Sequence, residues 1–153
     1  MVPPPPVSPT VIVPKPNGPI RLCLDMRQAN EEIVRGRHPI PTVDEILQAM
    51  NDASVFSRVD LRMGYHQLEL EPESREITTF VTHTGLYRYK RLFFEVNSAT
   101  EQYQYEIQTA ITALQGVQNI SDDIIIYGQN QAKHNARLQA LMQRLRECGL
   151  TLN

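Results

Sequence analysis

Two hydrophobic runs near the N-terminus, separated by a polar, proline-containing segment, predict a β-hairpin. Residues 10–13 and 20–25 are rich in residues that favour strands, and the intervening residues 14–19 contain an Asn-Gly pair suited to a tight turn. The preceding residues 1–9 are rich in proline and predict an extended lead-in of polyproline II conformation. Their Pro-x-x-Pro spacing also fits an SH3-type groove, although a plain spacer is the commoner use of such a tract.

Three segments have the spacing of amphipathic helices. After the capping box Thr42-Val43-Asp44-Glu45, a short helix is predicted with its apolar stripe at Val43, Ile46, Leu47 and Met50. After the capping box Ser98-Ala99-Thr100-Glu101, a second helix is predicted with Gly116 as its C-cap and its stripe at Tyr103, Ile107, Ile111 and Leu114. A third is predicted over residues 131–148, ended by Gly149, with its buried face at Leu138, Leu141, Met142 and Leu145.

Further strands are predicted between these helices. Residues 55–61 predict one strand, and residues 66–71 alternate leucines with polar residues as a strand does. Residues 77–83 and 86–92 predict a second hairpin, and residues 119–127 a third whose tight turn is Asp122-Asp123. The sequence contains neither an internal repeat nor a long linker, so we expect one α+β domain over residues 10–153 with a mainly antiparallel sheet.

Composition narrows the class of protein. The chain has 153 residues, of which 41% are hydrophobic, as in a single globular domain. The N-terminus lacks a secretory signal and no apolar run reaches the roughly 20 residues that cross a bilayer, so we expect an intracellular protein, cytoplasmic or nuclear, that is not secreted and binds no membrane. The net charge of −2 means that a polyanion would have to be held by local cations. Cys23 and Cys148 are expected to be reduced, buried thiols.

Three aspartates are the candidate chemical groups. Asp60 ends the predicted strand at residues 55–61, and Asp122-Asp123 lie at the turn of the third hairpin. An acidic pair in a turn is commonly structural, because Asp makes local hydrogen bonds there. An apolar strand that ends in a single acid beside a second strand's acids would, however, bring three carboxylates together. Hard divalent cations such as Mg²⁺ take such oxygen ligands, and two or three aspartates with substrate phosphates suffice for a two-metal phosphoryl-transfer site.

Ordered sequence blocks add to these acids. They are Ser8-Pro9 with Val13-Pro14-Lys15-Pro16-Asn17-Gly18; Arg21 with Asp25-Met26-Arg27 and Asn30; His38-Pro39-Ile40-Pro41; Asp60-Leu61-Arg62-Met63-Gly64-Tyr65-His66-Gln67; Thr79-Phe80 with Tyr87-Arg88-Tyr89; Asn97-Ser98-Ala99 with Gln104; and Ser121-Asp122-Asp123-Ile124 ahead of Gly149-Leu150-Thr151-Leu152-Asn153. From Ser8 to Asn153 the chain therefore resembles the fingers and palm region of a reverse transcriptase from Gypsy-class long-terminal-repeat retroelements. The resemblance implies a fingers hairpin and a palm with a ferredoxin-like βαββαβ core and packed helices.

The resemblance also implies an activity, RNA-directed DNA polymerisation by two-metal nucleotidyl transfer from a deoxynucleoside triphosphate (dNTP) to a primer 3′-end. It makes Asp60, Asp122 and Asp123 the catalytic residues, and it assigns two Mg²⁺ ions, which Mn²⁺ can replace, to Asp60, the backbone carbonyl of Leu61 and Asp122. The expected partners are a dNTP and an RNA or DNA template with its primer.

The same resemblance assigns binding roles to residues outside the acidic cluster. Contact with the dNTP is implied for Lys15, Arg21, Tyr65 and Gln104. Contact with template or primer is implied for Arg27, Asn30 and Asn97. Tyr65 matches the aromatic residue that excludes a ribose 2′-hydroxyl. Without the resemblance, Lys15 and Arg21 would be ordinary solvated charges and Tyr65 a core tyrosine.

A second hypothesis comes from a departure from the family pattern. Where the family has Phe-Gly, this chain has Phe94-Glu95, which would place an anion beside a bound triphosphate. In addition, the thumb, ribonuclease H and integrase segments of the family do not follow Asn153 in this sequence. The alternative is therefore a catalytically inactive or domesticated remnant that serves as a nucleic-acid-binding or protein-interaction scaffold. Surface left uncovered without a thumb would favour self-association.

Overall fold

The computed structural model describes residues 6–15, 18–36, 38–120 and 123–153, which separate into two units. The first unit comprises the described residues of Met1–Arg35 and Leu68–Ala99, and the second those of Gly36–Gln67 and Thr100–Asn153. The first matches the expected fingers hairpin with its neighbours, and the second the expected palm. The start of the predicted domain at residue 10 remains a prediction.

The predicted N-terminal hairpin is confirmed in the first unit. Strands β1 (Thr10–Lys15) and β2 (Gly18–Leu24) are antiparallel, with Thr10 opposite Leu24. The register shifts between Val13 and Lys15, where the intervening proline has no N–H for the ladder. The predicted turn residue Asn17 lies outside the described residues.

The end of the lead-in is part of the structure and not a free spacer. Ser8 is buried, its N–H donates to the carbonyl of Thr79 over 2.9 Å, and its own carbonyl accepts from the N–H of Val81 over 3.3 Å. These bonds attach the lead-in to strand β4 (Thr79–Thr82). Unlike the proline that follows it, Ser8 has an N–H that can donate in this pairing.

The second predicted hairpin is also confirmed, but it is shorter. Strand β4 pairs antiparallel with β5 (Gly85–Arg88), and a 3₁₀ helix at Pro72–Thr78 replaces the start of the predicted strand. The strand-like alternation at residues 66–71 was misleading. A 3₁₀ helix occupies Gly64–Gln67, and the residues after it make only an isolated bridge, Glu69 to Arg91.

A short helix, α1 (Arg27–Glu32), was not predicted. It has no side-chain cap, and only Ala29 is buried among its residues. At its first residue, the Arg27 guanidinium forms a forked ion pair with Asp25, with nitrogen–oxygen distances of 2.8 and 2.6 Å. The hydrogen bonds from Arg27 lower the pKa of Asp25 to about 2.

Helix α1 is joined to the loop at residues 95–97 by two asparagines. Asn30 donates through Nδ2 to the carbonyl of Glu95 over 3.0 Å and accepts at Oδ1 from the N–H of Asn97 over 2.9 Å. Asn97 in turn donates through Nδ2 to the carbonyl of Asn30 over 3.0 Å. These three bonds fix the loop that leads into the next helix.

The second unit contains a three-stranded antiparallel sheet in the order β3-β7-β6, formed by β3 (Val55–Asp60), β6 (Val117–Ile120) and β7 (Asp123–Gly128). At its β3 edge, Leu61 bridges to Leu152 in an antiparallel manner. If residue 152 is counted as a fourth strand after β3, β6 and β7, the spatial order is residue 152, β3, β7, β6. In chain order this is 4-1-3-2. This order confirms the expected ferredoxin-like βαββαβ core.

Helix α2 (Val43–Ala49) begins with the predicted capping box. The Thr42 N–H donates to the Glu45 carboxylate over 2.7 Å, and the Glu45 N–H donates to the Thr42 hydroxyl over 3.3 Å. Of the predicted apolar stripe, Ile46 is buried and Met50 partly buried, whereas Val43 and Leu47 are exposed.

Helix α3 (Ala99–Ile111) begins directly after Ser98, as predicted. Its predicted stripe is largely confirmed, because Tyr103, Ile107 and Ile111 are buried. The predicted C-cap is wrong. The helix ends at Ile111, and Gly116 lies beyond it with a φ of +67° in the turn before β6.

Helix α4 (Gln131–Glu147) confirms the third prediction, with Leu141 and Leu145 buried and Gly149 following at a φ of +70°. The helix lies close to β7 at Gly128, where an added Cβ would stand 2.7 Å from the backbone nitrogen of His134. This close approach buries His134, which the apolar pattern did not reveal.

Both cysteines are free thiols, but the predicted burial is wrong, since Cys23 is partly exposed and Cys148 exposed. Within the described ranges, no helix has the length and apolar character needed to cross a bilayer.

Removing the Arg27 side chain should raise the pKa of Asp25. In Arg27→Ala we expect it to move from about 2 towards the ordinary 3.8, measured by carbon-13 NMR titration. A carboxylate with a lowered folded-state pKa stabilises the fold above its unfolded pKa and loses that contribution as pH falls through the folded value. The stability difference between parent and variant should therefore be present above about pH 4 and disappear by about pH 2. The control Arg146→Ala should leave the pKa unchanged; an unchanged value in Arg27→Ala would refute the ion pair.

Removing the Asn30 side chain should destabilise the first unit. Asn30→Ala leaves the carbonyl of Glu95 and the N–H of Asn97 without their partner, so we expect the free energy of unfolding to fall by about 2 kcal/mol. Denaturant unfolding would measure this, and amide exchange should show faster exchange at Asn97. As a control, Asn51→Ala in an exposed turn should cost less than about 0.5 kcal/mol. Equal costs for the two variants would contradict the assigned role.

Candidate active site

Two of the three candidate aspartates stand side by side. Asp60 is the last residue of β3 and Asp123 the first of β7, and the register places them directly opposite each other. Such cross-strand neighbours have Cβ atoms about 4.5–5.5 Å apart. Burial alternates along both strands so that the buried Ile124 and Ile126 lie on one face while both aspartates lie on the other, open face.

Each carboxylate has a polar neighbour. The Arg58 guanidinium lies 3.2 Å from Oδ2 of Asp123, and the side-chain amide of Asn153 donates to Oδ2 of Asp60 over 2.6 Å. These contacts reduce the repulsion between two acids placed opposite each other. Neither Arg58 nor Asn153 was predicted as a site residue. Arg58 could have been found, because it lies two positions before Asp60 and so shares its face of the strand.

Asp122 lies outside the described residues. The turn predicted at Asp122-Asp123 needs one correction, because Asp123 is the first residue of β7 and not a turn residue. Among the described residues, no three His, Cys, Asp or Glu side chains form a group that could hold a metal ion. Asp60 and Asp123 nevertheless supply the carboxylate oxygens that hard divalent cations prefer.

The backbone around Leu61 is consistent with the role that the resemblance implies for its carbonyl. The Leu61–Leu152 bridge is made by neighbouring groups, because the carbonyl of Asp60 accepts from Asn153 over 3.1 Å and the N–H of Arg62 donates to Thr151 over 3.0 Å. The carbonyl of Leu61 takes no part in these two bonds. A role of this carbonyl in holding a cation remains a prediction.

Tyr65 and Gln104 belong to the second unit. Tyr65 is half-buried, with its hydroxyl 3.4 Å from Oγ1 of Thr100 and its ring 4.8 Å from that of Tyr103. Gln104 is completely buried and donates to the carbonyl of Asn119 over 3.2 Å. This bond ties α3 to β6 just before the connection that carries Asp122. The dNTP contact of Gln104 remains a prediction, and its burial favours a supporting role.

The remaining candidates belong to the first unit. Arg21 is exposed on β2, with its guanidinium carbon 5.9 Å from the ring centre of Phe94, a cation–π distance. Lys15 ends β1. Arg27 is engaged with Asp25, and Asn30 with Asn97. Contacts of these residues with nucleotide or template remain predictions.

Glu95 directs one carboxylate oxygen into the first unit. Its Oε1 is buried and has no hydrogen-bond partner within the described part of the chain. The carboxylate stands close to two other groups. Burial, and then the charge of Glu95, raise the pKa of the Cys23 thiol; the same two causes raise that of Tyr89. The anion expected beside a triphosphate therefore has an oxygen turned inward.

Comparisons with known proteins agree with this geometry. The family described as reverse transcriptase (RNA-dependent DNA polymerase) matches residues 13–153. The retrovirus-related Pol polyprotein from transposon 412 of Drosophila melanogaster is 34% identical over 154 residues, covering 95% of this chain and 12% of that protein. The corresponding polyprotein from transposon gypsy of the same organism is 29% identical over 135 residues, covering 87% and 13%.

Solved structures share the fold. The foamy viral protease-reverse transcriptase dRH in complex with double-stranded DNA superposes with a TM-score of 0.85 at 22% identity, covering 96% of this chain and 26% of that one. The foamy viral protease-reverse transcriptase in complex with an RNA/DNA hybrid gives 0.82 at 20% identity, covering 96% and 20%.

The chain spans 11–14% of the length of four curated relatives, so it corresponds to a small part of each. The family match nevertheless extends over nearly all of its residues. The ordered sequence blocks, the βαββαβ core and this match together show that the chain belongs to the reverse transcriptase (RNA-dependent DNA polymerase) family.

Proposed function

We propose that this chain is the fingers and palm part of a retrotransposon RNA-directed DNA polymerase, which extends a primer on an RNA or DNA template. The observation that supports this most directly is the position of Asp60 opposite Asp123 on the open face of the sheet. In the reaction, the primer 3′-oxygen forms a bond to the α-phosphorus of the dNTP, and pyrophosphate leaves.

Asp60, Asp122 and the carbonyl of Leu61 would hold two Mg²⁺ ions, or Mn²⁺ in their place, with Asp123 as the third catalytic carboxylate beside them. When bound, such ions neutralise triphosphate charge and promote ionisation of the primer 3′-hydroxyl. The carboxylates hold and orient the reacting groups, while Arg58 and Asn153 limit their mutual repulsion.

The binding residues act through charge and shape. Arg21 and Lys15 attract the triphosphate as cations. Tyr65 excludes a 2′-hydroxyl by occupying the space beside the sugar, and Gln104 supports the dNTP site from the core. Arg27, Asn30 and Asn97 hold template and primer, with the two asparagines acting through the loop that they fix.

The second candidate function is an inactive or domesticated remnant that serves as a scaffold. Glu95 at the position of the family glycine favours it, whereas the buried Oε1 weakens the electrostatic objection to activity. Self-association belongs to this candidate as well, because the first hairpin exposes Val11, Ile12, Val13 and Ile20. For either function we infer an intracellular location, cytoplasmic or nuclear.

The proposed cation site predicts a specific loss on neutralising Asp60. Mn²⁺ should raise the thermal midpoint of the parent chain by mass action, and Asp60→Asn or Asp122→Asn should abolish the shift. Mn²⁺-dependent primer extension on an RNA template should fall at least about 100-fold, since several kcal/mol of charge stabilisation are lost.

Asp52→Asn, in an exposed turn, serves as the control and should retain both signals. A midpoint shift that persists in Asp60→Asn would overturn the site. A shift in the parent without extension above the Asp60→Asn blank would favour the remnant.

The inward orientation of Glu95 can be tested without any activity. Because the charge of Glu95 raises the pKa of Cys23, Glu95→Gln should lower it towards the ordinary thiol value, leaving the part that is due to burial. The pH dependence of iodoacetamide alkylation would measure this in a Cys148→Ser background. Glu76→Gln, which removes an exposed carboxylate, should have no effect. An unchanged Cys23 pKa in Glu95→Gln would place the carboxylate elsewhere.

A further inference from the structure

Residues 151–153, here called the edge segment, run beside the end of β3. The N–H of Arg62 donates to the carbonyl of Thr151 over 3.0 Å, and the N–H of Asn153 donates to the carbonyl of Asp60 over 3.1 Å. Two backbone bonds hold a short edge strand only weakly. The position of the edge segment therefore depends on what else binds it.

The Gln67 side chain supplies additional binding. Gln67, at the end of the 3₁₀ helix, donates through Nε2 to the carbonyl of Arg62 over 2.6 Å and to that of Thr151 over 2.9 Å. Its Oε1 accepts from the N–H of Thr151 over 2.7 Å. One amide thus connects the edge segment to the residues that follow β3.

The consequence of this connection appears at Asp60. With the edge segment in place, the Asn153 side chain donates to Oδ2 of Asp60 over 2.6 Å. A short hydrogen bond to one carboxylate oxygen restricts rotation of the carboxylate and so determines where the other oxygen points. Partners of this kind orient metal-binding carboxylates in other proteins, and their loss costs about 10–100-fold in metal affinity.

We propose that Gln67 and Asn153 are a positioning pair for Asp60. Gln67 fixes the edge segment, the edge segment presents the Asn153 amide, and the amide orients the Asp60 carboxylate for a divalent cation. Neither residue touches the reacting groups. The inference rests on the proposed function, because it concerns the same cation site.

The test is a double-mutant cycle on Mn²⁺ binding by the full 153-residue chain, with free Mn²⁺ counted by electron paramagnetic resonance. Gln67→Met keeps the length of the side chain but cannot form the three bonds, and Asn153→Ala removes the amide. Each should weaken Mn²⁺ binding about tenfold. Because Gln67 acts through Asn153, the double variant should bind Mn²⁺ with the same affinity as whichever single variant has the lower affinity.

The control is Gln102→Met, which removes an exposed glutamine whose side chain donates to Glu106 on the same helix. It should leave Mn²⁺ affinity unchanged. Multiplicative losses in the double variant, or unchanged affinity in both single variants, would overturn the proposal. If the parent chain shows no Mn²⁺ binding that is lost in Asp60→Asn, the proposed function itself is refuted.

The connection between Gln67 and the edge segment can be tested without metal. Amide exchange at Arg62 should be at least about tenfold faster in Gln67→Met than in the parent, while exchange within β6 and β7 stays the same. Equal exchange rates at Arg62 in the parent and in Gln67→Met would overturn the proposal even where Mn²⁺ binds.

Discussion

The register of β3 on β7 is the constraint on which the candidate site depends. Side chains alternate between the two faces of a strand, so a slip of one residue would exchange the open and buried faces. In the observed register, Asp60 meets Asp123 on the open face, while Ile124 and Ile126 are buried on the other. Burial of these isoleucines therefore fixes the position of the carboxylates. Like charges directly opposite each other repel, so apolar burial must outweigh a cost that the site itself creates.

Helix packing against the sheet reinforces this register. Gly128 at the far end of β7 allows the backbone of α4 to approach at His134, and Gln104 in α3 bonds the carbonyl of Asn119 on β6. The Gln104 bond is a buried polar contact, and leaving such a group unpaired costs about 1–3 kcal/mol. It therefore holds α3 on β6, while the close approach at Gly128 holds α4 against β7.

Local signals in the sequence predicted most of the fold. The first hairpin has an Asn-Gly pair and α2 a capping box, and each signal involves residues only a few positions apart. Helix α1 was missed because it has no side-chain cap and only Ala29 is buried. The strand expected at residues 66–71 is reduced to an isolated bridge between Glu69 and Arg91, because a 3₁₀ helix occupies the chain as far as Gln67. Asp60 and Asp123 were predicted, whereas the Asp60–Asn153 contact was not, since 93 positions separate the two residues in the chain.

Glu95 is a second case in which the sequence predicts a residue type but not where its side chain points. The sequence places a carboxylate where the family has glycine, and electrostatics alone predicts a conflict with a triphosphate. The surroundings of Glu95 include Cys23 and Asn30, which are distant from it in sequence, and Tyr89, which is near. Asn30 bonds the backbone carbonyl of Glu95, and one carboxylate oxygen of Glu95 is buried. Burial of this oxygen reduces the repulsion that Glu95 would exert on a bound triphosphate. It also costs desolvation free energy, which lowers the stability of the fold whether or not a nucleotide is bound.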